Sequence, residues 1–432
     1  MSVSRRTRGA IARRLLVLFL AGVTILAGIV VGRTLLFTAE STPLPSPGDL
    51  QIDQKAAAAH LAGALRFETV TRSTKPRLNP EAFEGLHEYL RETFPLAHTR
   101  LSTETVAQHS LLFKWEGQDP SAKPILMLAH QDVVPVEPEA LDAWTHPPFS
   151  GTIADGFIWG RGALDDKQGV VGILHAVEIL LESGFQPRRT VYLAFDHDEE
   201  IGGSGAQATV ALLKKRGVQL AFVVDEGGVL TQGVVPDVSD WVALIGVAEK
   251  GYVSLKLTTR GTGGHSSMPP PQTAVGVLAK AVAKLEAQPF PARTEASQLF
   301  FERVGPKMPF GPRMVFANMW LFEPLVVNLL SKKGSTNATL RTTTAATIFR
   351  GGVKDNLLPK RAEAVVNFRI IPGETPETVK SRVESVIDDD RVIVGYLAEE
   401  GGSSLARPTR VSSTDGQRWR VHRRPRQPLQ AL

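Results

Sequence analysis

Residues 15–32 (LLVLFLAGVTILAGIVVG) form an apolar run of 18 without a charge, ended by Arg33. As a helix the run is roughly 27 Å long, about one bilayer core. Arg5, Arg6, Arg8, Arg13 and Arg14 precede it. Positive charge on that side keeps the N-terminus cytoplasmic and predicts a single-pass anchor with the rest of the chain extracytoplasmic. The rival reading is a cleaved signal peptide and a secreted chain, but no small-x-small cleavage site follows the run. Pro43, Pro45 and Pro47 then make a stiff, extended linker.

From about residue 50 to 245, short apolar runs alternate with amphipathic stretches. ILMLA (125–129), TVYLAFD (190–196) and LAFVVD (220–225) predict buried strands. Between the first two, Val170, Val171, Ile173, Leu174, Val177, Leu180 and Leu181 mark a helix that Gly184 stops. A second helix near 205–216 carries Ala206, Val210 and Leu213 on one face. This order predicts an α/β fold, a parallel-rich sheet with helices on both faces.

Beyond about 247 the texture changes. VSLKLTTRG (253–261) and AEAVVNFRI (362–370) alternate like half-exposed strands. Helices near 273–286 and 376–387 and a strand VIVGYL (392–397) complete a smaller α+β grouping.

Composition narrows the chemistry. There is no Cys, so disulfides and thiolate metal sites are excluded, and any metal must be held by His and carboxylates. The net charge is +5, but residues 403–432 hold seven Arg against Asp415, which is +6, leaving about −1 for the remainder. No polyanion-binding surface follows, and no nucleic-acid partner is expected.

Three clusters of acids and His stand directly after the three strands: His130-Gln131-Asp132, Asp196-His197-Asp198-Glu199-Glu200 and Asp225-Glu226-Gly227-Gly228. Open α/β sheets build their sites outside the carboxyl ends of strands, so these clusters should converge. A fourth pair, Asp165-Asp166, opens the first helix. Each cluster alone reads as solvated surface. Together they would repel strongly without cations, and that predicts metal.

The ordered motifs HQD, GRGALDDKQG, DEEIGG, DEGG and GTGGHSSMPP resemble the dizinc metallopeptidase and amidohydrolase family of carboxypeptidase S, aminoacylase and glutamate carboxypeptidase. Within that family the motifs resemble those of carboxypeptidase S and the N-fatty-acyl-amino-acid synthase/hydrolase. The likeness runs from about 50 to 397. It implies a fold of zinc exopeptidase type with an inserted lid and dimerisation domain. The expected layout is a basic stub and transmembrane anchor (1–38), a linker (39–49), the first part of the catalytic domain (50–246), the inserted domain (247–397) and a remnant of the catalytic domain (398–432).

The resemblance implies two zinc ions per protomer. His130 would ligate the first, oriented by Asp132; Asp165 would bridge both ions, and its peptide bond to Asp166 would be cis. Glu200 would complete the ligands of the first ion, with the last ligand in Asp225-Glu226, leaning to Asp225. Glu199 would be the general base that takes a proton from the attacking water. Adjacent residues on a straight strand face opposite ways, so this division needs an irregular backbone that Gly202 and Gly203 would supply. Asp166 and Asp198 would be structural.

In the inserted domain, His265 would stabilise the oxyanion in a partner subunit's site, making the enzyme a homodimer. Asn356 and Arg369 would hold the substrate, Arg369 by clamping a free carboxylate. The expected reaction is hydrolysis of peptides or N-acyl amino acids. The alternative is a non-catalytic membrane-anchored ectodomain or scaffold that keeps the fold.

The resemblance also implies a return to the catalytic domain carrying a His for the second zinc. Only 35 residues follow Leu397, and GQRWRVHRRPRQPLQAL loses apolar periodicity. The expectation is a shifted frame near Gly416 and an incomplete second zinc site, with His422 a poor substitute.

Overall fold

The apolar run lies within one helix, α1 (Arg5–Leu36), long and apolar enough to cross a membrane. Its residues 13–29 are exposed throughout. The structure, a computed structural model, describes residues 5–39, 52–72, 77–235, 237–397, 405–406 and 409–410. The tail on which the shifted-frame expectation and His422 fall lies outside the described residues, apart from those two short pairs. The chain divides into two compact units, one built on Leu44–Gly228 and the other on Met1–Pro43 with Val229–Gly416.

In the first unit, α2 (Gln54–Ala64) starts where the Asp53 carboxylate accepts the amides of Lys55 and Ala56. Helix α3 (Pro80–Thr93) starts at Asn79 with Pro80 in its first turn, and α4 (Pro95–Arg100) follows. The sheet contains β1 (Ser102–Val106), β2 (Ser110–Trp115), β3 (Ile125–His130), β4 (Val191–Asp196) and β5 (Phe222–Val224), ordered β1-β2-β4-β3-β5. Helices α5 (Lys167–Glu182) and α6 (Ser204–Lys215) complete the unit.

Strand β4 lies parallel to β3, and β3 parallel to β5, but β1 and β2 are antiparallel to each other and β2 to β4. The sheet is therefore mixed, which corrects the parallel-rich expectation. The hairpin β1–β2 escaped the sequence reading because STETV is polar and mostly exposed, so it lacks the apolar run of a buried strand. LAFVVD also differs from expectation. Phe222, Val223 and Val224 are exposed, and among the described residues no strand pairs with the outer edge of β5.

Alternation along the strands feeds two cores. Leu193 and Phe195 of β4 pack with Phe113 of β2, Leu86, Leu90 and Phe94 of α3 and its C-cap, and Leu174 of α5. Tyr192 and Ala194 face the other way, with Leu112, Leu126 and Leu213 of α6. Phe113 is wholly buried and meets Phe195 edge-on at 5.7 Å between ring centroids. Phe113→Ala should lower stability by about 3–5 kcal/mol, mostly from the cavity it leaves. A urea midpoint unchanged by the substitution would contradict this packing.

The second unit is an antiparallel sheet of β6 (Gly251–Arg260), β8 (Thr343–Gly351), β10 (Arg361–Ile370) and β11 (Val392–Tyr396), in the order β8-β10-β6-β11. A short pair, β7 (Gly264–His265) and β9 (Leu357–Leu358), lies beside this framework in sequence. Helices α7 (Ala274–Ala287) and α12 (Pro376–Ile387) cover one face, burying Val277, Leu278, Val379 and Val383 against Leu255, Leu257, Val366 and Phe368. Four helices that the apolar pattern did not announce occupy the middle: α8 (Glu295–Val304), α9 (Phe310–Ala317), α10 (Met319–Leu330) and α11 (Gly334–Leu340). The C-terminal end of α1 packs on α9 within this unit: Val30 and Thr34 are buried, and the Asn318 amide donates to Val30 O at 3.1 Å.

Candidate metal centre

The carboxyl ends of β3, β4 and β5 share one edge of the mixed sheet, with His130 directly opposite Asp196 across the parallel pair. Strand β3 sits between β4 and β5, so residues leaving either neighbour can reach the His130 ring. His130 Nε2 lies 2.8 Å from Asp165 Oδ1 and 3.6 Å from Glu226 Oε2. The three side chains can offer donors within 4.8 Å of one another, the span of a single cation's coordination sphere.

Asp132 holds the other side of the imidazole. Its backbone oxygen is 3.0 Å and its Oδ1 3.3 Å from His130 Nδ1. The carboxylate is wholly buried and accepts the Thr71 hydroxyl at 2.7 Å, Glu199 N–H at 3.1 Å and Glu200 N–H at 3.2 Å. Nδ1 is thus engaged and Nε2 is left facing the acids, the arrangement a ligating histidine needs.

Glu199 and Glu200 lie in a 3-10 turn, Glu199–Ile201, between β4 and α6. Gly202 (φ 123°) and Gly203 (φ 63°) follow it, both in the region that suits glycine. The backbone is irregular here, so the two adjacent acids need not alternate as they would on a straight strand. The Asp165–Asp166 peptide is cis. Asp165 is 68% exposed at its side chain, whereas Asp166 is buried at the N-terminus of α5.

Two details depart from the expected grouping. The acid beside His130 and Asp165 is Glu226; the Asp225 carboxylate turns back to accept the Glu226 amide at 2.9 Å. Glu200, expected as the partner of His130 on the first ion, is not one of the three grouped residues. The reason is positional: the chain leaving β5 delivers Glu226 to the β3 end, while Glu200 sits in the turn beyond β4 with its amide fixed on Asp132.

The electrostatics carry the mark of crowded negative charge. Burial raises Glu199, reinforced by the charges of Glu200, Asp132 and Asp165, and it raises Glu200, reinforced by Asp165 and Asp132. Burial lifts Asp166 to about 6, and lifts Glu226 to about 7 with help from Asp166, Asp165 and Glu199. Burial alone would lower His130, but Asp132, Glu226 and Asp165 outweigh it and hold the imidazolium to about 10. A divalent cation bound here would favour the ionised form of the neighbouring acids and offset the cost of burying them, and a His-and-carboxylate donor set is one that zinc accepts.

Other polar groups brace the site. Asp198 accepts Gly205 N–H at 2.9 Å and the Ser204 hydroxyl at 2.5 Å, fastening the start of α6. Asp196 and His197 share the Ser110 hydroxyl at 2.9 and 2.7 Å. The sequence reading missed Gln131, which donates to His109 O and Phe195 O, and Thr71, which carries no local signal. It also missed Lys167, whose buried ammonium donates to Ala64 O and Phe67 O and is lowered by burial to about 7. A lysine opening an apolar helix immediately after two acids was the available clue.

The remaining predicted residues belong to the other unit. His265 and Asn356 come together there: β7 pairs with β9, and Ser266 N–H donates to Asn356 O at 3.0 Å. Both are exposed, and His265 Nδ1 lies 2.8 Å from the Ser267 hydroxyl. Arg369 lies at the far end of β10, eight residues or roughly 26 Å of strand beyond Arg361. Its guanidinium rests 4.9 Å from the centre of the Tyr252 ring. Within one protomer, Arg369 is not brought to His265 and Asn356.

An α/β unit carrying a candidate cation site of His and carboxylates, followed by a separate α+β unit, is an arrangement suited to metal-dependent hydrolysis. Residues 126–319 match the peptidase family M20/M25/M40, and residues 247–392 match its peptidase dimerisation domain. The chain belongs to this family of metallopeptidases. It is 42% identical to a probable carboxypeptidase S-like 2 of Dictyostelium discoideum, over 83% of this chain and 68% of the relative. It is 41% identical to N-fatty-acyl-amino acid synthase/hydrolase PM20D1 of Xenopus tropicalis, over 92% and 78%. Among solved structures, the M20 family metallo-carboxypeptidase Sso-CP2 from Sulfolobus solfataricus shares the fold, with a TM-score of 0.55 at 19% identity over 84% of this chain and 80% of that one.

Proposed function

We propose that the chain is a membrane-anchored zinc hydrolase that cleaves the amide bond of peptides or N-acyl amino acids bearing a free carboxylate. The observation that carries this reading is the convergence of His130, Asp165 and Glu226, with Glu199 in the adjoining turn. The names of the relatives, carboxypeptidase S-like and N-fatty-acyl-amino acid synthase/hydrolase, point to the same bond and the same carboxylate.

In this reading His130, Asp165 and Glu226 would hold one ion, and Glu200 would serve a second. Zinc, when bound, polarises the scissile carbonyl and acidifies water. Asp132 keeps His130 Nε2 aimed by occupying Nδ1. Glu199, its carboxyl raised by burial above the usual carboxylate range, takes a proton from the attacking water and returns it to the leaving amine. His265 and Asn356 serve the partner's site in a homodimer formed through the dimerisation domain. Arg369 pairs with the substrate carboxylate. Helix α1 spans the membrane with the arginine-rich end cytoplasmic.

A panel of N-acyl amino acids and dipeptides, each beside its methyl ester, tests both halves of the proposal. Acids should be turned over and esters poorly. Arg369→Met should cost the acids roughly 1.5–3 kcal/mol, about 10- to 150-fold in kcat/KM, by removing a charge-assisted pair. Equal turnover of acid and ester by the unaltered chain would remove the role given to Arg369.

A further inference from the structure

Helix α1 does not leave its unit as a free stalk. Val30 and Thr34, one turn apart, are buried, and the Asn318 side chain donates to Val30 O at 3.1 Å and lies 3.3 Å from the Thr34 hydroxyl. Arg33 Nε donates to Ala317 O at 3.3 Å, and the Phe37 ring packs so closely on Gly305 that a Cβ there would meet it at 2.8 Å. The contact falls where the apolar run ends: Val30 is only about 3 Å along the axis from Gly32. If α1 crosses a bilayer, Ala317 and Asn318 stand at its boundary.

Those two residues are the hinge between α9 and α10. Helix α10 reads MWLFEPLVVNLL, with Glu323 its one charge, and it buries Val326. It exposes Leu321 (37%), Leu325 (46%) and Leu329 (53%) as a stripe four residues apart, with Trp320 (57%) exposed beside Leu321 and Asn328 exposed beside Leu329. Water would face an apolar stripe of this kind unfavourably. At 12 residues the helix is roughly 18 Å long, too short to span a bilayer core. Lys332 and Lys333, both exposed, follow directly, placed to meet lipid phosphates, and an exposed Trp is a side chain suited to the headgroup layer.

We propose that the exposed face of α10 lies in the interfacial layer of the bilayer that α1 crosses, so that lipid holds this unit at two elements and fixes its orientation. The proposal rests on the membrane-spanning reading of α1. The hydrogen bonds that tie Ala317 and Asn318, immediately before α10, to the end of the anchor place the start of α10 at that end and select lipid as the occupant rather than a second copy of the chain.

The absence of Cys allows unique labels in the full chain. Val23→Cys reports mid-run α1, Leu325→Cys and Leu329→Cys report the stripe, and Lys280→Cys reports an exposed position on α7. Each would carry an environment-sensitive fluorophore in mixed phosphatidylcholine–phosphatidylglycerol vesicles. Lipids with a shallow nitroxide should quench positions 325 and 329 about threefold more than position 280, with matching protection from iodide, as expected for a helix seated in the headgroup boundary. A deep nitroxide should quench position 23. If position 23 is quenched while 325 and 329 stay open to iodide, the stripe proposal falls and the anchor stands. If position 23 never meets lipid, the anchor reading itself fails and takes the proposal with it. Protection of 325 from iodide without lipid quenching would assign the stripe to a protein interface and overturn the proposal.

Discussion

Glu199→Gln is expected to lower kcat by roughly 10²–10⁴-fold, the range for loss of a positioned proton-transfer group. The substitution keeps the side-chain volume and leaves the backbone N–H that Asp132 accepts. Glu199 is not one of the three side chains grouped closely enough to share a cation, so on the proposed reading the metal content of the purified variant should match that of the unaltered chain. That pairing is what makes the prediction discriminating. A purely structural Glu199 would leave kcat nearly intact, whereas a ligating Glu199 would lose metal along with activity. Asp132→Asn offers the contrast, because it weakens the group that orients His130 and receives the two Glu amides. It should lower metal affinity as well as turnover, by roughly 10- to 100-fold, the usual cost of losing such a carboxylate.

The ends of β3, β4 and β5 were legible because an apolar run stops abruptly at His or acid, and an α/β sheet gives that arrangement one spatial meaning. Which acid of Asp225-Glu226 lies beside His130 was not legible. Neighbouring residues diverge according to how the chain leaves the sheet, and that is decided by the hydrogen bond from Glu226 N–H to Asp225. The β1–β2 hairpin was hidden by the polar, exposed STETV, so the sheet was read as more parallel than it is. Helix α10 was hidden for the opposite reason. MWLFEPLVVNLL is apolar almost throughout, so no amphipathic period marks it, and Pro324 within it reads in the sequence as a helix stop. Its exposed stripe becomes informative only when the end of α1 is found bonded to the residue that precedes it. Arg369 and His265 were placed by resemblance alone; an arginine on an alternating strand and a histidine in a glycine-rich turn carry no chemistry by themselves.

Metal affinity should climb steeply with pH. The metal-free His130 imidazole keeps its proton to about 10, since Asp132, Glu226 and Asp165 outweigh the effect of burial, and Glu226 keeps its own to about 7. A cation can take His130 Nε2 only after that proton leaves, so one proton is displaced throughout the interval from about 7 to about 10. The apparent association constant for zinc should therefore rise about tenfold per pH unit there, and below that interval the second proton, from Glu226, should steepen the slope toward roughly a hundredfold per unit. Above the His130 value the dependence should flatten. Chelator-buffered titrations give the constants, and calorimetry in buffers of different ionisation enthalpy counts the protons released. His130→Ala should both weaken binding and remove one proton from that count. An affinity flat between the two values would mean either that His130 has already lost its proton below that interval or that it is not a ligand, and the effect of His130→Ala on affinity separates the two.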